Sequence, residues 1–260
     1  MKETMTTILM YMKKHVSDEV TIKEVAAHFS YSKYHFSREF KKFTGFSAAD
    51  YLSSIKIEQA KQDFLKKQRS ITDSSFDAGF SSLGTFSTTF AKKTGLSPRE
   101  YKNQVESLYH LTKNYDDNTM STSYYAEKIQ EEDTYQLSVT IHYPKSYQSS
   151  ITFVGLFNSS ISNHKPIVGT ALRKKIRHTF THIPKGEYYL LACSIEKTLS
   201  PLRYFVLDDC LRGKADRPLQ FPKDSTKEID VYLREPLPQD PPILINLPKL
   251  LSETFKLRNP

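Results

Sequence analysis

The chain has 260 residues, enough for two domains of ordinary size that each bury their own core. Its formal net charge is +8 and no long single-sign block carries the excess, which excludes a disordered basic tail and points to basic globular domains. About +5 of the charge falls in the first 110 residues and about +3 in the remaining 150, a balance that favours nucleic acid over membrane as partner. The longest apolar run, Tyr188 to Ile195, is far short of the roughly 20 residues that span a bilayer, and the N-terminus has no signal-peptide pattern, so a cytoplasmic location is expected.

In chain order, Ile8, Met12 and Val16 give an N-terminal helix with one apolar face that ends near Ser17. Thr21 and Glu24 form a capping box for a short helix in which Ile22, Val25, Ala26 and Phe29 point inward. After a turn at Ser30 and Tyr31, Ser32 caps a second helix that runs to Thr44 and stops at Gly45. Ser47 caps a longer helix, Ala48 to about Lys67. The pattern then recurs: Ile71 to Ala78, and Ser82 to Thr94 with its stop at Gly95. Ser97-Pro98-Arg99-Glu100 opens the last helix with Pro at its first position and a second capping box. At an offset of about 50, Phe36, Ser37, Phe40, Lys42, Thr44, Gly45, Ser47 and Tyr51 return as Phe86, Ser87, Phe90, Lys92, Thr94, Gly95, Ser97 and Tyr101. Two copies are too few for a solenoid and fit a paired DNA-reading unit.

Composition changes after about Leu111, where TKNYDDNTMSTS reads as a polar linker. Beyond it QLSVTIHY, SSITFVGLF, HTFTHI, GEYYLLACSIE, RYFVLD and KEIDVYLR are short runs rich in β-branched and aromatic residues. About seven strands with no helical period between them predict an antiparallel sandwich. The tail PLPQDPPILINLPKLL holds too many prolines for a helix or central strand before about Leu247 and is expected to be an extended strap with one helical turn. The predicted domains are residues 1–110, a linker 111–123 and residues 124–260.

In a helix-turn-helix the second helix lies in the major groove and packs its apolar face on the first. In Ser32 to Thr44 the inward stripe is Phe36, Phe40 and Phe43, leaving Lys33, Tyr34, Ser37, Arg38, Lys41 and Lys42 outside. Arg38 can pair bidentately with guanine O6 and N7; Tyr34 can meet a thymine methyl or bond a phosphate. The lysines, Lys92 and Lys93 included, are as readily solvated charges as phosphate ligands, and His35 is expected on the recognition helix rather than on a metal. A linking helix of about 20 residues is roughly 30 Å long, close to the 34 Å between successive major-groove faces, so one monomer could fill two adjacent grooves.

Residues 5 to 105 resemble the DNA-binding domain of the AraC/XylS family of bacterial transcription regulators. The second copy carries the likeness, with Gly79-Phe80, Phe86, Phe90, Lys92, Gly95, Ser97-Pro98 and Tyr101 in the family's pattern. The resemblance implies an all-α, homeodomain-like double helix-turn-helix fold, with base contacts from Tyr34, Ser37 and Arg38 in the first recognition helix and Leu83, Gly84, Ser87 and Thr88 in the second. Where relatives place Gln, Ser, Tyr and Arg, this chain has Leu83, Gly84, Thr85 and Thr88. The first helix is therefore expected to set most base specificity, while Ser82, Thr88, Lys92 and Lys93 supply phosphate and methyl contacts. Promoter DNA and RNA polymerase are the implied partners.

FTHIPKGEYYLLACSIE resembles the Phe-x-x-Leu-Pro-x-Gly-x-Tyr-x-Leu signature of prealbumin-like sandwich domains, such as the carboxypeptidase regulatory-like group. Pro184 and Gly186 make its turn. A prealbumin- or immunoglobulin-like sandwich is thus expected for the second domain, which would sense a small-molecule effector, bind another protein or pair with itself as a homodimer. No catalytic, metal or cofactor site is expected. His178 and His182 on a strand would lie about 13 Å apart, and Asp208, Asp209 and Cys210 form no nucleophile pattern. The two cysteines, Cys193 and Cys210, show no CxxC spacing and are expected to be reduced packing residues. Neither lies in the Pro-Cys motif of the DNA-repair alkyltransferases that share this helix-turn-helix unit. The competing reading is a carbohydrate- or peptide-binding module, or an enzyme, fused to a DNA-binding domain.

Overall fold

A computed structural model describes residues 2–105, 107, 109–110, 123–124, 135–163, 165–197 and 200–251. The chain divides into two compact units, one formed by Met1–Gln104 with Leu237–Ile245 and the other by Val105–Pro236 with Asn246–Pro260. Apart from residue 123, the expected linker lies outside the described residues.

In the first unit α1 (Lys2–Lys14) precedes α2 (Ile22–His28), α3 (Lys33–Thr44), α4 (Ala48–Lys66), α5 (Ile71–Asp77), α6 (Leu83–Thr94) and α7 (Pro98–Asn103). Thr21, Ser32, Ser47 and Ser97 do the capping that the sequence marks for them, and Ser70 and Ser82 add caps to α5 and α6. Thr21, Ser32, Ser47, Ser70, Ser82 and Ser97 each accept a backbone N–H from the first turn, and the capping boxes at Thr21/Glu24 and Ser97/Glu100 are both complete.

The duplication extends to the packing. Phe36 and Phe40 are fully buried with ring centroids 5.5 Å apart, and so are Phe86 and Phe90, again at 5.5 Å. Tyr51 and Tyr101 close the two clusters, and burial pushes both phenols up, so each stays neutral. Both α3 and α6 end the same way. Gly45 and Gly95 adopt the left-handed conformation, and the hydroxyls of Thr44 and Thr94 donate to Phe40 and Phe90 carbonyls at 2.7 and 2.9 Å.

The turns inside the two motifs also match. Ser30 N–H donates to Ala27 O and Tyr31 N–H to Ala26 O, while Gly79 N–H donates to Phe76 O and Phe80 N–H to Ser75 O. Each is a Schellman motif with its left-handed residue at Ser30 (φ 60°) or Gly79 (φ 75°). The second turn holds one more residue before the next cap, Ser81.

Helix α4 joins the two motifs and is buried along most of its circumference. Its interior face includes Leu52, Ile55, Ile57, Ala60 and Phe64, and also Lys61, whose ammonium is fully buried 2.7 Å from Glu58 Oε2. The proline-rich strap is present as expected, but residues Leu237–Ile245 pack with the helical unit, where Lys13 Nζ donates to Asp240 O at 2.9 Å and to Pro238 O. A single helical turn follows at 247–251.

The second unit holds two sheets. One runs β1 (Ser123–Tyr124), β4 (Val168–Leu172), β3 (Ser149–Phe157), β6 (Gly186–Glu196) and β7 (Leu211–Lys214), with β8 (Leu219–Phe221) also paired to β6. The other is β5 (Arg177–Ile183), β2 (Tyr135–His142) and β9 (Lys227–Tyr232). Both sheets feed one apolar core, with Leu137, Val139, Ile141, Phe180 and Val231 from the second and Val154, Leu156, Val168, Leu190 and Leu219 from the first. Asp224, fully buried before β9, closes the approach to that strand by accepting two hydrogen bonds from Arg217 and one each from Lys227 and Gln220 N–H. These donors, Arg217 first, hold its carboxyl well below the usual range.

Two expectations for this unit are corrected. The two sheets are not wholly antiparallel: β9 lies parallel to β2, from Leu137 opposite Lys227 to His142 opposite Tyr232. A hairpin enforces antiparallel pairing, but strands so far apart in sequence meet through a crossover and are free of that constraint. RYFVLD is not a strand. Residues Pro201–Tyr204 form a 3₁₀ turn and Tyr204 to Leu207 are buried without alternation, their carbonyl at Leu207 satisfied by Arg212 Nη2 and the Cys210 thiol. Finally, β4, β7 and β8 carry too few bulky residues or are too short to stand out. The turn at Pro184 and Lys185 carries the chain from one sheet to the other rather than closing a hairpin.

Candidate nucleic-acid interface

Helix α3 buries Phe36 and Phe40 and turns the rest of its surface outward. Lys33, Tyr34, Arg38, Lys41 and Lys42 are exposed, and Tyr34 is 79% accessible. Ser37 is half-buried and spends its hydroxyl on Lys33 O at 2.9 Å. Ser32 keeps an exposed position but caps the helix through His35 N–H at 3.3 Å.

Arg38 is not loose. Its Nη2 lies 3.2 Å from His35 Nδ1 and its Nε 3.4 Å from Glu39 Oε1, so the guanidinium is held on two sides while its side chain remains 61% exposed. His35 in turn stacks on Tyr31, at 5.4 Å and 18° between rings. The sequence placed His35 on this helix without a role; the structure makes it the neighbour that orients Arg38. Spacing i, i+3 on one helix was the available signal.

Phe43 departs from the expected apolar stripe. It is 39% exposed, because the buried side of this helix is already filled by Phe36 and Phe40 and the helix ends one residue later at Thr44.

Helix α6 offers a different surface. Gly84 has open space where a side chain would be, Leu83 is 39% exposed, and Thr85, Thr88 and Lys92 are exposed. Ser87 is half-buried, and Ser82 caps the helix through Thr85 N–H while its hydroxyl donates to Thr85 Oγ1 at 3.0 Å.

Lys93 is not available to a phosphate, contrary to the sequence reading. It is 5% exposed, and its ammonium donates to Asp50 Oδ1 at 2.6 Å and to Ser54 Oγ at 3.0 Å on α4. A lysine at the inner edge of a helix is drawn to the nearest carboxylate rather than left buried without a counter-charge. Asp50 and Ser54, one turn apart on α4, were the signal for it. Elsewhere, Lys56 of α4 donates to Gly79 O at 2.7 Å and so completes the second turn.

Among the described residues no helix is long and apolar enough to cross a membrane, and no group of three or more His, Cys, Asp or Glu side chains could hold a metal ion.

Comparison with known proteins bears on the helical unit. Residues 25–104 match the family model described as a helix-turn-helix domain. The chain is 33% identical over 99 residues to YobQ of Bacillus subtilis, described as an uncharacterized HTH-type transcriptional regulator; this covers 38% of the chain and 41% of that protein. It is 27% identical over 113 residues to AdaA of the same organism, a bifunctional transcriptional activator and DNA repair enzyme, covering 43% of the chain and 54% of that protein. The chain thus spans about half the length, or less, of these relatives. Among solved structures, the C-terminal domain of the response regulator AraT from Geobacillus stearothermophilus aligns with a TM-score of 0.37 at 29% identity, covering 38% of this chain and 84% of that one. Residues 25–104 form a helix-turn-helix domain, similar to those of HTH-type transcriptional regulators.

Proposed function

We propose that the chain is a sequence-specific DNA-binding transcription regulator of the AraC type, in which α3 and α6 enter adjacent major grooves of promoter DNA. The observation that carries this reading is the exposed cationic face of α3, where Arg38 is held by His35 and Glu39 and flanked by Lys33, Tyr34, Lys41 and Lys42. A guanidinium fixed at the outer face of a recognition helix suits bidentate pairing with guanine. Helix α4, with 19 residues, is about 28 Å long, which fits two helices to successive groove faces.

The two recognition helices divide the work. The helix carrying Arg38 reads bases, while α6 contributes contacts to backbone and thymine methyls through Ser82, Leu83, Ser87, Thr88 and Lys92. The regulator acts as an activator that recruits RNA polymerase; AdaA, similar to it over the helical unit, is a transcriptional activator. The two-sheet unit is a prealbumin- or immunoglobulin-like sandwich that serves as the effector-sensing or self-pairing module; its single core shared by two sheets supports that architecture.

The test compares full-length Arg38→Ala and Thr88→Ala proteins on the native promoter and on scrambled DNA. Arg38→Ala is expected to cost about 1–3 kcal/mol on the specific site and to relax discrimination. A larger loss of discrimination from Thr88→Ala would overturn the division of labour. Equal binding of the parent protein to both DNAs would overturn sequence-specific recognition itself.

A further inference from the structure

The contact between Arg38 and His35 on α3 fixes more than the guanidinium. Arg38 Nη2 lies 3.2 Å from His35 Nδ1. A guanidinium has N–H donors but no acceptor, and it keeps its proton in a folded protein, so Nδ1 must accept. An imidazole nitrogen that accepts carries no proton. The proton of His35 is therefore on Nε2, at the far side of the ring. His35 is exposed, and none of the hydrogen bonds among the described residues uses its Nε2.

The ring that carries this donor is itself held. It stacks on Tyr31 at 5.4 Å and 18°, and Tyr31 lies 6.3 Å from the buried ring of Phe36 while its N–H donates to Ala26 O at 2.8 Å. A half-turn of the imidazole would put carbon where Nδ1 stands, so the bond from Arg38 also decides which edge faces it. Arg38 keeps donors to spare. Its Nε is engaged by Glu39 Oε1 at 3.4 Å and its Nη2 gives one hydrogen to His35, which leaves both hydrogens of Nη1 and the other of Nη2. A bidentate pair with guanine needs only two of these.

One turn of α3 thus offers two sets of donors. His35 is the third residue of the helix, in the part that contacts base edges in a helix-turn-helix. Three residues advance about 4.5 Å along the helix axis, against about 3.4 Å for one base-pair step, so the two side chains reach neighbouring base pairs. The second copy has no counterpart. Thr85 and Thr88 occupy the equivalent positions, and Thr85 Oγ1 accepts from Ser82 Oγ at 3.0 Å.

We infer that His35 is a specificity-determining residue that forms one composite reader with Arg38. Nδ1 positions the guanidinium on a guanine, and Nε2–H donates to a major-groove acceptor of the adjacent base pair: a purine N7, a guanine O6 or a thymine O4. This rests on the reading in which α3 enters the major groove and Arg38 pairs with guanine. The imidazole is neutral in this role, so it adds sequence information without neutralising a phosphate.

A duplex is selected by the full-length protein from a randomised library, and binding is measured to it, to each of its single base-pair substitutions and to a scrambled duplex. Arg38→Ala marks the guanine whose preference it abolishes. His35→Ala is expected to weaken the preference for that guanine by about 2- to 10-fold, as the loss of one hydrogen bond would, and to erase the preference at one adjacent base pair. Two isosteres separate the nitrogens. His35→Asn, whose Oδ1 stands where Nδ1 does, is expected to restore the guanine preference alone; His35→Gln, whose amide N–H reaches the place of Nε2, is expected to restore the adjacent preference alone. The backbone N–H that bonds the Ser32 cap is kept in all three variants.

Parental preferences in His35→Ala, alongside their loss in Arg38→Ala, would overturn the inference and leave the underlying reading intact. An equal loss on selected and scrambled duplexes would make His35 a backbone contact and overturn it too. Failure of either isostere to restore its own half would sink the assignment of that nitrogen. No change of preference in Arg38→Ala would remove the reading itself, and the composite reader with it.

Discussion

The first helix-turn-helix and its copy agree wherever side chains are buried and part company where they are not. Caps, Schellman turns, paired phenylalanine rings and the Thr-Gly helix stops coincide. On the outer face, Lys33, Tyr34, Arg38 and Lys41 of α3 stand opposite Leu83, Gly84, Thr88 and Ala91 of α6. Burial constrains volume and hydrogen bonding at once, so the inner side tolerates little change. The outer side answers only to what it touches. Phe43 and Lys93 mark the boundary: equivalent in sequence, the first is partly exposed and the second is turned in and ion-paired to α4.

The largest test of this likeness is at the turns. Gly79→Ala is expected to cost about 2–4 kcal/mol, since a left-handed backbone disfavours a side chain and the new methyl would stand 2.8 Å from Val16 O. Urea unfolding checks it; a loss below 1 kcal/mol would mean that the turn relaxes freely. At the boundary position, Lys93→Ala is expected to cost about 1–3 kcal/mol in the same measurement, by stripping Asp50 and Ser54 of their donor. Unchanged stability there, with weakened DNA binding instead, would return Lys93 to the interface.

Acid separates the repeat from the two-sheet unit. Burial lowers His178 from its ordinary value to about 4, with Lys175 adding to the shift. Its folded value is depressed, so as pH falls below about 6.5 the unfolded chain takes up a proton that the folded chain refuses, and stability is lost down to about pH 4. A contribution of about 1–2 kcal/mol is expected after allowing for partial exposure. Thermal melts of the parent and His178→Gln proteins from pH 7 to 4 should show the slope reduced in the variant; parallel slopes would remove His178 from the account.

Ser30→Gly is the converse of the first test and is expected to stabilise by about 0.5–1 kcal/mol, because Ser30 holds the left-handed position that Gly79 holds without a side chain. A decrease in the midpoint of denaturation would show that the two turns are not equivalent. The smallest effect is expected from Lys92→Ala, which should leave stability within about 0.5 kcal/mol and lower the salt slope of DNA binding by about one. No change in that slope would place Lys92 away from the phosphates.

Much of the helical unit was legible because its signals are local. A cap serine is three residues from the N–H it satisfies, a stop glycine sits at the end of its helix, and a repeat at an offset of about 50 confirms both. The two-sheet unit was less so. RYFVLD has the composition of a strand, yet Tyr204 to Leu207 within it are buried in succession, and composition does not report alternation. The parallel pairing of β9 with β2 depends on a crossover that no short window contains. At the interface, the outward set on α3 followed from periodicity, whereas Lys93 was misplaced because its partner Asp50 is on another helix.

The sequence by itself determined the duplicated helix-turn-helix, its caps and stops, and the asymmetry between Arg38 and Thr88, since each rests on residues within one or two turns of one another. Only the tertiary structure decided that Lys93 turns inward, that Leu237–Ile245 packs on the helical unit, and that β9 lies parallel to β2. Those outcomes depend on which distant surface supplies the counter-charge, the carbonyl or the neighbouring strand, and such choices are made by packing after the local elements have formed.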